Sequence, residues 1–77
     1  MELTPKEYEL LLLLISNENV VISREAIINR VWGLDFDGDH RVVDSHIKKL
    51  RAKLGYESSF IRTVIGAGYK FHQEVRD

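Results

Sequence analysis

Thr4-Pro5-Lys6-Glu7, followed closely by the apolar run Leu10 to Ile15, commits this chain to an early helix that needs cover from more than one side. Thr4 fits an N-cap, Pro5 the first helical position, where its missing N–H is not needed, and Glu7 the far corner of a capping box. The helix is expected to run to about Ser16. Its apolar residues, Tyr8 and Leu10 through Ile15, span well over half of its circumference, so a single packed face does not satisfy them. With 77 residues and no cysteine, the cover must come from one small core held by packing alone.

The same composition narrows the function classes. The apolar run is far shorter than a membrane span, and the N-terminus lacks the basic-then-apolar layout of a signal peptide, so a cytoplasmic protein is expected. Net charge is −1, yet residues 1–40 hold three cations against eight acids, net −5, while residues 41–77 hold eight cations against four acids, net +4. A partner meets one face of a protein, so this polarity bears on function more than the total does. Polarity of this size also arises by chance in small domains, and charge alone leaves both readings open.

Along the chain, Asn17-Glu18-Asn19 reads as a turn and Val20-Val21-Ile22 as a short strand. Ser23 caps a second helix with Glu25 in its first turn, and Ala26, Ile27, Val31 and Trp32 are expected to form its buried side. Gly33 ends that helix, and Gly33 to His40 form a loop containing Asp35, Asp37 and Asp39. A third helix is expected over about Arg41 to Leu54, stopped by Gly55 in a left-handed position. On it Val43, Ile47, Leu50 and Leu54 fall on one side, with Arg41, Ser45, Lys48, Lys49 and Ala52 opposite. Asp44 and Arg51 lie on one flank, His46 and Lys53 on the other. After a loop at Tyr56 to Ser59, the stretches Phe60 to Val64 and Tyr69 to His72 read as two strands of a hairpin. The order predicts a mainly α protein with a small β part, a winged helix-turn-helix of three helices and a C-terminal hairpin wing.

The third helix is the strongest candidate for chemistry. Its exposed stripe is cationic with small residues interspersed, so it can approach base edges while lysines donate to guanine O6 and N7 or to phosphates. An ordinary solvated helix face has the same composition. Gly66-Ala67-Gly68 joins two strands instead of opening a helix, which makes it a hairpin turn and not a phosphate loop. Asp35-Phe36-Asp37-Gly38-Asp39 resembles the opening of a calcium loop, but Gly38 stands fourth and His46 twelfth, where that loop needs glycine at six and glutamate at twelve. His40, His46 and His72 lack metal-ligand spacing, and no Ser, His and Asp grouping forms a catalytic context. No enzyme activity, cofactor or metal is expected. His46 reads as a phosphate donor or a plain surface residue, and Trp32 and Phe36 as packing residues.

Several segments together resemble one known family. Leu3-Thr4-Pro5-Lys6-Glu7-Tyr8, Ser23-Arg24-Glu25, Val31-Trp32-Gly33, Arg41-Val42-Val43-Asp44-Ser45-His46-Ile47, Leu50-Arg51-Ala52-Lys53-Leu54 and Thr63-Val64-Ile65-Gly66-Ala67-Gly68-Tyr69-Lys70-Phe71 are similar to the DNA-binding effector domain of OmpR/PhoB-type bacterial response regulators. The resemblance implies a third helix in the major groove of double-stranded DNA, with Ser45 and Lys49 in base-reading places and Lys48 nearby. It puts Arg41, His46 and Arg51 at backbone-contacting places, with Thr63 and Tyr69 near the wing. Ala52 on the same stripe and Lys53 on its flank complete the candidate DNA-binding set. It further implies a homodimer on direct repeats, RNA polymerase as a partner of the loop Gly33 to His40, and service as the output domain of a two-component system; the apolar surface of the first helix, Leu10 to Ile15, makes self-association of the fragment the alternative to a homodimer on DNA. Residues 1–77 would be that domain, without the receiver domain and without most of the family's N-terminal sheet. Ile65 stands where the family carries an arginine, so charge-driven minor-groove readout by the wing is not expected. The alternative reading is a protein-interaction module of the same fold.

Overall fold

The computed structural model describes residues 2–73. Helix α1 spans Pro5–Ser16, α2 Arg24–Val31 and α3 Arg41–Leu54, after which a short 3-10 helix, Gly55–Phe60, leads into strands β1, Ile61–Val64, and β2, Gly68–Phe71. This is the winged helix-turn-helix that the sequence predicts, with the loop expected at Tyr56 to Ser59 wound into the 3-10 helix.

The start of α1 forms as its residues dictate. Thr4 Oγ1 accepts from the Glu7 amide at 3.2 Å and Glu7 Oε1 accepts from the Thr4 amide at 2.8 Å, which satisfies two helix-end donors reciprocally. At the other end, Asn17 Nδ2 donates to the Leu13 carbonyl at 2.9 Å. Leu10 and Leu14 are fully buried, and Leu11 and Leu13 pack partly against the core. Helix α2, α3 and strand β2 supply that cover. Tyr8, Leu12 and Ile15, spaced four and three apart, form an exposed stripe.

Two expectations change. Val20 to Ile22 do not make a regular strand. Ile22 forms an isolated bridge to Tyr69, and the Asn19 amide donates to the Phe71 carbonyl at 2.8 Å. Between them the Val20 amide turns back to Asn17 at 2.9 Å, with Asn19 at φ 69°, so the ladder is broken after one turn. On α2 the buried residues are Ile27, Ile28 and Val31, while Ala26 and Trp32 are half-buried. Trp32 is the C-cap, so its side chain leaves the helix stripe and Ile28 fills the core position beside Ile27.

Val43, Ile47 and Leu50 of α3 are buried, with Leu54 half-buried at the edge of the core. Gly55 ends the helix with a positive φ of 62°, which glycine adopts freely, but with ψ −114° in place of the left-handed helical value expected for it. The strands pair antiparallel with Ile61 opposite Phe71, Thr63 opposite Tyr69 and Val64 opposite Gly68. Ile61, Tyr69 and Phe71 therefore share the inward face. Gly68 is required where it stands: at φ +145° a Cβ would lie 2.1 Å from the Ile22 carbonyl oxygen. That close approach brings β2 against the segment before α2.

Candidate nucleic-acid interface

Helix α3 has a buried side that fixes its roll, so its opposite side is presented in a defined orientation. Arg41, Ser45, Lys48, Lys49 and Ala52 are all exposed there, as the period predicts. The side chains of Ser45, Lys48 and Lys49 enter no hydrogen bond or ion pair among the described residues. Their polar groups are open to a ligand.

Arg41 is engaged. Its Nη2 lies 2.9 Å from Asp39 Oδ2, with 84% and 58% of the two side chains exposed, and Asp39 Oδ1 also accepts from the Arg41 amide at 2.8 Å. Asp39 thereby supplies the cap that His40, with helical backbone and no side-chain bond, does not. The Arg41 hydrogen bonds hold the Asp39 carboxyl below its ordinary value. An ion pair this exposed contributes little and exchanges readily for a phosphate.

The flanking cations are engaged within the protein. Lys53 donates to Glu7 Oε1 at 2.6 Å, and Glu7 is 2% exposed. A buried carboxylate needs a cation and hydrogen bonds; Lys53 first and the Thr4 amide second hold the Glu7 carboxyl below its ordinary value. Lys53, expected at a DNA-contacting position, is thus drawn across to α1. Arg51 Nη2 donates to the Ile61 carbonyl at 2.7 Å and to Thr63 Oγ1 at 3.0 Å. Its guanidinium also stands over the Tyr69 ring, 5.9 Å from the centroid.

Tyr69, another expected contact, is 5% exposed. Its hydroxyl donates to Asp44, which also accepts from Arg24 Nε at 2.8 Å. Burial pushes the Tyr69 hydroxyl up, and the hydrogen bond to Asp44 adds to that. Burial pushes the Asp44 carboxyl up as well, but the hydrogen bonds from Tyr69 and Arg24 outweigh it and hold it below its ordinary value. Asp44 and Arg51 thus grip Tyr69 from one flank of α3. The hairpin is joined to α3 and to the start of α2 through one ring.

His46 is half-buried; its Nδ1–H donates to the Val42 carbonyl at 2.9 Å, and its ring meets Trp32 edge-on at 4.9 Å. Lys6 lies over the same Trp32 ring at 5.9 Å and donates to the Val31 carbonyl at 2.8 Å. Trp32 and Phe36 are packing residues, with ring centroids 6.1 Å apart. Phe36 anchors the acidic loop, leaving Asp35 and Asp37 exposed and Leu34 at 85% exposure. Among the described residues no group of three or more His, Cys, Asp or Glu could hold a metal ion. A cleft of about 360 Å³ separates Ser23, Arg24, Glu25 and His40 from the hairpin turn Thr63 to Gly68.

The tertiary pairs Glu7 with Lys53 and Arg24 with Asp44 escape sequence reasoning, because they join residues 46 and 20 apart with no local pattern. An acid inside the capping box was one available signal.

The family described as transcriptional regulatory protein, C terminal, matches residues 1–71. The uncharacterized transcriptional regulatory protein YclJ of Bacillus subtilis is 52% identical over 73 residues, 94% of this chain and 32% of that protein. The chain spans about a third of the length of the curated relatives it matches. The solved DNA-binding domain of Bacillus subtilis CssR superposes with a TM-score of 0.84 at 41% identity, covering 91% of this chain and 77% of that one. The Klebsiella pneumoniae RstA DNA-binding domain, solved in complex with the RstA box, gives 0.81 at 30% identity, covering 92% and 73%.

Proposed function

This chain belongs to the family of transcriptional regulatory protein C-terminal domains, and we infer that it binds double-stranded DNA sequence-specifically as the output domain of a cytoplasmic two-component response regulator. The observation that carries this is the exposed, unengaged stripe of Ser45, Lys48, Lys49 and Ala52 on a helix whose other side is fixed by the core. A helix so anchored can lie in the major groove, with Ser45 and Lys49 at base edges, Lys48 at base or phosphate, and Ala52 permitting close approach. Arg41 trades Asp39 for a phosphate, and His46 offers its remaining ring nitrogen from the flank. Arg51, Thr63 and Tyr69 act by holding the hairpin beside the groove helix, and Lys53 by holding α3 to α1. No catalytic role is assigned.

Two partners follow as proposals. Pairing of two copies on direct repeats would multiply the short contact that one such helix can make. The loop Gly33 to His40, with exposed Leu34 beside unengaged Asp35 and Asp37, suits a protein partner better than a polyanion, and RNA polymerase is the partner proposed. The exposed Tyr8, Leu12 and Ile15 stripe supports the second reading, a protein-interaction module.

Titration of the chain against duplex DNA at two salt concentrations separates the two. Binding that weakens steeply with salt supports the first reading, because phosphate contacts release counterions. Absence of salt-dependent binding to any duplex would overturn it.

A further inference from the structure

Asp44 is an acid on the groove helix, one residue before Ser45. On a surface helix its ready partner is Lys48, four residues on, yet the Lys48 side chain stays unengaged and Asp44 takes two distant partners instead. Arg24, the first residue of α2, donates to Asp44 Oδ1 through Nε at 2.8 Å, and the Tyr69 hydroxyl of β2 donates to the same oxygen.

These bonds close a circuit. The Ile22 amide donates to the Tyr69 carbonyl at 2.8 Å and the Tyr69 amide to the Ile22 carbonyl at 3.0 Å, while Gly68 is pressed against that same Ile22 carbonyl. Ile22 stands two residues before Arg24, so the hairpin and the start of α2 are already one unit through the backbone. Asp44 joins α3 to that unit on both sides, at Arg24 and at Tyr69. Arg51 completes the hairpin's mount on α3 through the Ile61 carbonyl and Thr63 Oγ1 and makes no bond to α2 among the described residues. A carboxylate on a surface that meets phosphates repels them whatever the base sequence. What this one adds is geometry.

We propose that Asp44 is a positioning residue for DNA recognition, fixing the groove helix against the joined hairpin and α2 start so that one site must satisfy all three together. The inference rests on the DNA-binding reading above. Without Asp44, α3 keeps its core packing but is free to shift against the rest of the surface. A site that demands one register then loses its advantage, whereas random duplex, held through phosphates, does not. Removing the acid also leaves Arg24 without its partner, which makes the surface more positive.

The test uses duplex sites selected by this chain from a random-sequence pool, with affinities for a selected site and for random duplex measured over a salt series. Asp44→Ala is expected to weaken the selected site about tenfold, the scale of one hydrogen bond to a charged group, while random duplex is bound at least as tightly as by the parent. The ratio of the two affinities falls although positive charge has been gained. Tyr69→Phe removes only the hydroxyl and keeps the buried ring under Arg51. It should weaken the selected site severalfold with random binding and salt slope unchanged, and it carries the test if Asp44→Ala does not fold. In the double variant the Tyr69 change should add nothing further. A loss of stability alone lowers the folded fraction and scales both affinities alike. Variants that shift selected and random binding by the same factor, in either direction, overturn the proposal while leaving DNA binding intact. A parent that binds no duplex, or binds every duplex equally, overturns the reading on which it rests.

Discussion

Lys48 and Lys49 stand only two to five residues before Arg51 and Lys53 on α3, yet the side chains of the first pair are unengaged and those of the second are bound to other parts of the protein. Lys53 neutralises a carboxylate that is 2% exposed, and Arg51 fastens the hairpin. These four cations of α3 are therefore of two kinds. One can meet a polyanion, and the other holds the surface that does so.

The sharpest way to break this division is to disturb the mount. Gly68→Ala places a methyl group 2.1 Å from the Ile22 carbonyl oxygen at φ +145°; it should cost about 3 kcal/mol or more of unfolding free energy, read from urea denaturation. DNA affinity should fall with it, although Gly68 brings no charge.

Next, Lys49→Ala and Lys53→Ala separate the two populations. Lys49→Ala should leave the melting temperature unchanged and weaken binding to a selected site by about 1 to 3 kcal/mol, with relaxed sequence preference. Lys53→Ala should lower the melting temperature by several degrees while binding by the folded fraction is preserved. Equal losses of affinity from both would erase the distinction.

Acid should expose the internal population selectively. The folded Glu7 and Asp44 carboxyls lie below their ordinary values, so each binds a proton less readily folded than unfolded. Their contribution is present above the ordinary carboxylate range, about pH 4, and is lost as pH falls through the folded values. Lys53→Met should flatten the acid limb of the stability profile; an unchanged limb would show that the Glu7 pair contributes nothing.

The smallest effect is expected from Asp39→Asn, which frees Arg41. Because that pair is exposed, DNA affinity should rise by about twofold or less, as measured in parallel titrations. A larger gain would mean that Asp39 restrains the interface.

Where side chains act on near neighbours, sequence reading is sufficient. Thr4, Pro5 and Glu7 mark the start of α1 because a capping box is local, and Gly55 marks the end of α3 because a glycine's positive φ is a local stop, though its ψ is not the left-handed helical one expected. The exposed stripe from Arg41 to Ala52 follows from helical period. Reading fails where partners come from afar. Tyr69 looks like an outward contact until Asp44, Arg24 and Arg51 are seen around it, and Lys53 looks like a phosphate contact until α1 arrives beneath it. Ile28 is missed because Trp32 leaves its helix at the cap.

Glu7 serves α1 twice: the same carboxylate that receives the Thr4 amide also receives Lys53. Opening of the first turn of α1 therefore also releases Lys53 near the end of α3. The amide protons guarded by each are expected to exchange with solvent on a common timescale, so that the C-terminal end of α3 has the lifetime of the first turn of α1.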